Sequence, residues 1–227
     1  MSHTGPGFDR LARLYRILEF AAFGRDLERA RFAFAGQLSE CRDILLLGEG
    51  DGRCALRLAA LAPGARILCV DSSPGMIERA RSRMAAAGVG DRVAFKCADL
   101  RSYAPAPGGF DAVATLFVLD CFDAREVASI ISRTGPALRP GARWLFADFA
   151  LPEGGIPRMR ARAWLAFLYA FFRWETGLLV SALPPSEALL EQAGWQRKAL
   201  RELQWGLLRS AVYARDPDRA PPAAASY

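Results

Sequence analysis

Three glycines and two acids share one short loop, Gly48-Glu49-Gly50-Asp51-Gly52, directly after the apolar run Ile44-Leu45-Leu46-Leu47. A second apolar run, in the next βα unit, ends in Val70-Asp71. Alternating glycines let a ligand approach the backbone where a strand turns into a helix. An acid closing the next strand can accept the two hydroxyls of a ribose. Together they make room for an adenosine-containing ligand. Dinucleotide sites use G-x-G-x-x-G, whereas the spacing here is G-x-G-x-G, with Arg53 where the third dinucleotide glycine would stand. Taken alone, the loop leaves a dinucleotide and S-adenosylmethionine both open.

Asp120 and Asp148 are the candidate catalytic acids. Both fall at or just past the C-terminal ends of expected strands, on the far side of the crevice where open α/β sheets bind ligands. Either could take a proton from an acceptor, and Asp148 is favoured because it closes a buried strand. Capping or loop roles are the alternative for both. His3 is the only histidine and stands at the N-terminus, so a histidine base is not expected. Cys41, Cys54, Cys69, Cys97 and Cys121 lack ligand spacing, so no metal site is expected. They read as small hydrophobes of a chain kept in a reducing cytoplasm.

The elements that must position these residues follow from periodicity. Residues 8–40 read as two helices: Leu11, Leu14, Tyr15 and Leu18 recur at helical spacing, Gly24 interrupts, and Leu27, Ala30, Phe34 and Leu38 resume. Strands are expected at 43–47, 66–70, 92–96, 110–116 and 142–148, alternating with helices at 51–61, 74–87 and 123–134. Such alternation predicts an α/β fold with a parallel sheet wrapped on both faces. Ser73-Pro74 supplies a helix cap and an N1 proline, and Arg139-Pro140-Gly141 reads as a tight turn into the fifth strand. Beyond 148 the alternation stops. An aromatic helix is expected at about 158–175, a short helix opens at Pro184-Pro185-Ser186, and 195–214 reads as two strands joined near Gln204-Trp205-Gly206. The expected organisation is a helical cap (1–40), a cofactor-binding core (41–150), and a cover helix with terminal strands of the same domain (151–215). A Pro/Ala-rich tail (216–227) is expected to be disordered.

In this order and spacing, ILLLGEGDG, VDSSPGMIERAR, Ala98-Asp99-Leu100, FDAVATLFVLDCF and LRPGARWLFADF resemble the class I S-adenosylmethionine-dependent methyltransferases. The resemblance runs from about Ile44 to Asp148, and more loosely to Ala214. It is closest to the ubiquinone/menaquinone-type small-molecule group. It implies a Rossmann-like, seven-stranded, mostly parallel sheet with helices on both faces and an antiparallel last strand. It also implies S-adenosylmethionine as cofactor. Gly48, Glu49 and Gly50 would meet the methionine part, and Asp71 the ribose. Ser72 and Met76 would flank the adenine, Asp99 would receive its amino group with Leu100 packing beside it, and Phe117 and Val118 would floor the site near the sulfonium. One residue departs from the family pattern. Leu46 stands where the family has an acid that helps orient the cofactor's amino group; Glu49 and Asp51 are the nearby substitutes.

The 227 residues are 52% hydrophobic, enough for a sizeable core, and one domain is the default. The net charge of +6 is almost wholly arginine, since Lys96 and Lys198 are the only lysines. The arginines are scattered, so no nucleic-acid partner is expected. MSHTGPGFDR has no apolar h-region, so no signal peptide is expected. The aromatic stretch from Ala161 to Phe172 is too short to span a bilayer, and arginines bracket it. Its apolar side chains cover more than one helix face. As the family's substrate cover, Trp164, Phe167, Tyr169 and Trp174 would enclose an apolar or aromatic acceptor, with Tyr15 closing the cofactor side. A core helix, a homodimer interface and a peripheral membrane contact are its other uses. Two rival functions remain at this level. One is a non-catalytic S-adenosylmethionine-binding protein. The other is an NAD(P)-dependent oxidoreductase, for which the two lysines offer no catalytic Tyr/Lys set.

Overall fold

The computed structural model describes residues 24–176 and 182–215, except for the side chains of 167–176. Tyr15, the expected first helix and the tail after 215 lie outside the described residues, as do the side chains of Phe167, Tyr169 and Trp174. Helix α1 (Asp26–Arg31) and a 3-10 turn (Ala35–Leu38) lead into β1 (Asp43–Leu47). Then come α2 (Arg53–Leu61), β2 (Arg66–Asp71), α3 (Pro74–Ala86), β3 (Val93–Cys97), β4 (Phe110–Leu116), α4 (Ala124–Thr134) and β5 (Leu138–Phe149). The described residues continue with α5 (Gly155–Thr176), α6 (Ser186–Gln192), β6 (Trp195–Leu203) and β7 (Leu208–Arg215).

The sheet has seven strands in the order β3-β2-β1-β4-β5-β7-β6. Strand β7 is antiparallel to both β5 and β6, and the other pairings are parallel. This is the Rossmann-like arrangement of the class I fold. Strand β1 is central, and the side-chain alternation of a strand divides it between two cores. Ile44 and Leu46 pack into one with Cys54, Ala55 and Leu58 of α2. Leu45 and Leu47 pack into the other with Val127, Ile130 and Ile131 of α4. Because the chain goes from β1 outward to β3 and returns to β4, the crossovers diverge between β1 and β4. A crevice therefore opens at the C-terminal ends of those strands.

Two expectations are corrected. The helix read over Leu27 to Leu38 stops at Arg31 and resumes only as the 3-10 turn. Phe34 leaves helical backbone at φ −121°, and Gly36 is a poor helix continuer, while Ala35 and Leu38 are drawn fully into the core. Strand β5 begins at Leu138 rather than 142. The Arg139-Pro140-Gly141 turn is absorbed into the strand as an irregularity in its register with β4. Gly141 takes φ +76° there, which glycine adopts without strain.

Candidate active site

The glycine loop is shaped by its own backbone. Gly48 has φ +68°, and a Cβ there would overlap the Val118 side chain. Gly52 has φ +90°, and a Cβ would come 2.8 Å from Cα of Ala80. These two glycines are needed so that the turn can pass under the loop after β4 and against α3. Gly48 N–H donates to Val70 O at 2.8 Å, and Gly50 N–H donates to Asp71 Oδ2 at 2.8 Å. Asp71 Oδ1 accepts from Ser73 N–H at 2.8 Å. One carboxylate thus holds the glycine loop and the start of α3 together. It stays half-exposed, and each oxygen keeps a second lone pair for a ribose hydroxyl.

Ser73 caps α3, its Oγ accepting from Met76 N–H at 3.3 Å, which leaves Ser72 exposed and Met76 half-buried at the rim. Asp99 is exposed, and its carboxylate accepts from Arg101 N–H at 2.8 Å. Leu100 beneath it is buried. On the opposite wall Phe117 has φ +60°, a backbone strained for a non-glycine residue. It is held by its N–H donating to Ala147 O at 2.7 Å and by an edge contact with Phe149 at 5.4 Å. The hydrophobic cluster that joins α1, α5 and β7 includes Trp164 and reaches Phe117 and Phe149.

Glu49 is buried at 7% exposure. Its Oε1 accepts from Ala55 N–H at 3.0 Å in the first turn of α2, while Oε2 has no hydrogen-bond partner among the described residues. Burial pushes this carboxyl up to about 8, against the pull of backbone N–H groups and Arg31. Asp51 differs: it pairs with Arg53 at 3.1 Å and with Arg83 at 3.3 Å. Leu46, the replacement for the family's acid, is a core residue at 1% exposure.

Asp120 and Asp148 are brought together. Asp148 is buried, its Oδ1 accepting from Phe149 N–H at 2.9 Å and its Oδ2 from Asp120 N–H at 3.2 Å. Asp120 lies in the 3-10 turn after β4 and is partly exposed. Its carboxylate accepts from the Cys121 thiol at 3.7 Å. Burial pushes Asp120 up to about 6 and Asp148 well above the usual carboxylate range, and the Asp120 charge pushes Asp148 further. Two adjacent carboxyls, one buried and one partly so, cannot both ionise cheaply, so the pair retains one proton near neutrality.

A family model described as a methyltransferase domain matches residues 44–141. The chain is 32% identical over 199 residues to a demethylmenaquinone methyltransferase of Thermus thermophilus, covering 83% of this chain and 86% of that protein. The chain belongs to the class I S-adenosylmethionine-dependent methyltransferases. It is also 29% identical to the ubiquinone/menaquinone biosynthesis C-methyltransferase of Syntrophotalea carbinolica, across 90% of this chain and 91% of that one. The solved mitomycin 7-O-methyltransferase shares the fold at TM-score 0.64 and 23% identity, over 85% of this chain and 56% of that longer one.

The residues of this methyltransferase suit its cofactor. The left-handed glycines leave the approach to the backbone clear, Asp71 offers free lone pairs, and Glu49 has an orphaned oxygen in the same loop. Two site residues and one pairing lay beyond sequence reasoning. Phe149 follows an expected strand end, a position that could have drawn attention to it. Arg31, whose guanidinium lies over the Phe117 ring at 5.4 Å, carried no signal among so many arginines. Nothing local tied Asp120 to Asp148 either, since 28 residues separate them.

Proposed function

We propose that this methyltransferase methylates a small apolar or aromatic acceptor in the cytoplasm, with Asp120 as the proton acceptor. The observation that carries the reading is the partly exposed Asp120, backed by buried Asp148, next to the aromatic wall of Phe117 and Phe149. Relatives named for demethylmenaquinone and ubiquinone/menaquinone substrates support an acceptor of that character. S-adenosylmethionine, when bound, supplies an electrophilic methyl and leaves as its thioether. Gly48, Glu49 and Gly50 hold its methionine part and Asp71 its ribose. Ser72, Met76, Asp99 and Leu100 surround the adenine, and Phe117 and Val118 face the reacting centre.

Alignment supplies most of the rate, because the methyl is already activated. Asp120 then removes the acceptor's O–H or C–H proton as the acceptor's electron pair forms the new bond to the methyl. Asp148 does not take that role itself, because it is buried and holds its proton near neutrality; its Oδ2 accepts from Asp120 N–H and so anchors Asp120. Trp164, half-buried against the same hydrophobic cluster as Phe117 and Phe149, contributes to the acceptor cover.

The test is a methyl-transfer screen of phenols and hydroquinones against polar amines, with Asp120→Asn and Asp71→Ala alongside. Asp120→Asn should lower kcat by roughly 10²–10⁴-fold on a phenolic acceptor. The wild-type kcat should rise with pH and level off above about 6, where Asp120 has lost its proton. Unchanged turnover in Asp120→Asn would remove the base from the mechanism.

A further inference from the structure

Among the described residues, two side chains of opposite sign beside the glycine loop, Glu49 and Arg31, each bury one polar atom without a hydrogen-bond partner. Glu49 Oε2 accepts nothing, although its other oxygen is engaged with α2. The Nε–H of Arg31, at the end of α1, is buried and donates to nothing, while the guanidinium rests on Phe117. The Arg31 charge is near enough to act on the Glu49 carboxyl, yet among the described residues no ion pair joins them. Native proteins rarely leave such atoms unsatisfied unless a ligand completes them. The loop's other acid is unavailable, because Asp51 is already held by Arg53 and Arg83.

We infer that Glu49 and Arg31 form a clamp for the α-amino-acid end of the cofactor, Glu49 taking its ammonium and Arg31 its carboxylate. The inference rests on the cofactor placement proposed above. It gives Leu46 a physical explanation. The strand carries a core leucine where the family has its acid, and the carboxylate returns three residues later beyond the end of the same strand. Leu46, Cys54 and Ala55 share one core layer, and Glu49 reaches that layer through its hydrogen bond to Ala55. The clamp also gives α1 a role: it closes the site by delivering a guanidinium from outside the parallel core. The strained Phe117 is then a platform that fixes the guanidinium plane, since cation–π contact orients as well as attracts.

The clamp has a proton signature. Glu49 faces Arg31 from α1, Asp51 from its own loop, the Cys54 thiol from α2 and the Cys69 thiol from β2. Arg31 and the backbone N–H groups of Ala55 and Cys54 favour its ionised form, and burial outweighs them. Without ligand the carboxyl therefore keeps its proton at pH 7, and it must release that proton on taking an ammonium.

Calorimetric titration of the full chain at pH 7 tests this, using S-adenosylhomocysteine and 5′-methylthioadenosine as probes. The second has the same nucleoside and thioether but no amino-acid end. Arg31→Gln and Glu49→Gln should each weaken S-adenosylhomocysteine roughly tenfold to a hundredfold and leave methylthioadenosine within about twofold. Runs in buffers of different ionisation enthalpy should show nearly one proton released when wild type binds S-adenosylhomocysteine, and none for Glu49→Gln. Equal weakening of both probes, or of neither, would overturn the clamp and leave Glu49 as a helix cap alone. If wild type binds neither probe, the cofactor placement itself fails. Should Glu49→Gln not fold, Arg31→Gln and the wild-type proton count decide the matter.

Discussion

At the residue scale, Glu49 shows how one side chain serves two demands that conflict in the free protein. Oε1 caps α2, whose own N-cap, Gly52, has no side chain to offer. Oε2 waits beside the loop at a cost, which is paid by keeping the carboxyl protonated. Because its folded value lies near 8, above the ordinary 4.5, the native state holds a proton that the unfolded chain gives up between those limits. Stability must therefore fall as pH rises through that window. Glu49→Gln keeps the cap and removes the titration. Scanning calorimetry should find the variant's Tm close to wild type at pH 5 and progressively higher by pH 8.5. A constant difference would mean that Glu49 is already ionised in the folded protein. Asp71 and the loop glycines were legible at this scale because their chemistry is local: a turn, a left-handed backbone and an acid at a strand end. Arg31 was not legible, because an arginine on an amphipathic helix looks like solvated surface until a partner from elsewhere in the chain is in view.

At the element scale, the β1–α2 turn is the working part of the fold, and its glycines are not equivalent. Gly48 combines φ +68° with a Cβ position blocked by Val118, whereas Gly50 shares the dihedral but faces open space. Gly50→Ala should therefore lose about 1–2 kcal/mol, the left-handed penalty alone. Gly48→Ala should lose more, and because Val118 is proposed to face the reacting centre it should also weaken S-adenosylhomocysteine. Urea unfolding with a parallel titration of both variants separates the two effects. Element existence was well marked in the sequence. Strand β4 matches at both ends, and the short helix after Pro184-Pro185 forms as expected at Ser186–Gln192. The misses share one cause. Where buried side chains compete with local propensity, packing wins, which is why Ala35 and Leu38 end a helix and Leu138 to Gly141 join a strand.

At the scale of the whole molecule, the sheet is stable at its centre and thin at its margins. Strand β1 is buried along almost its whole length, whereas β3 and β6 alternate with or run into solvent. Trp144 ties β5 to β4 through its Nε1–H donating to Thr115 Oγ1 at 2.9 Å, and packs edge-on against Trp195 of β6. Hydrogen exchange should accordingly be slowest in β1, β4 and β5 and faster in β3 and β6. Adding S-adenosylhomocysteine should slow the loop at 48–52 and the end of α1, with little change in β6. Protection confined to the loop would indicate that α1 takes no part in binding.

The sequence by itself determined the α/β class and the cofactor, and it marked the loop proposed to meet it. Those properties are written in short spans: periods of two and 3.6 residues, glycines two apart, and an acid closing the next strand. Only the tertiary structure decided which distant groups become neighbours. It seated Asp120 on Asp148 and brought Arg31 to Phe117 and within reach of Glu49. No period encodes such pairings, because they depend on where separate elements cross, and burial of those charges then sets their chemistry.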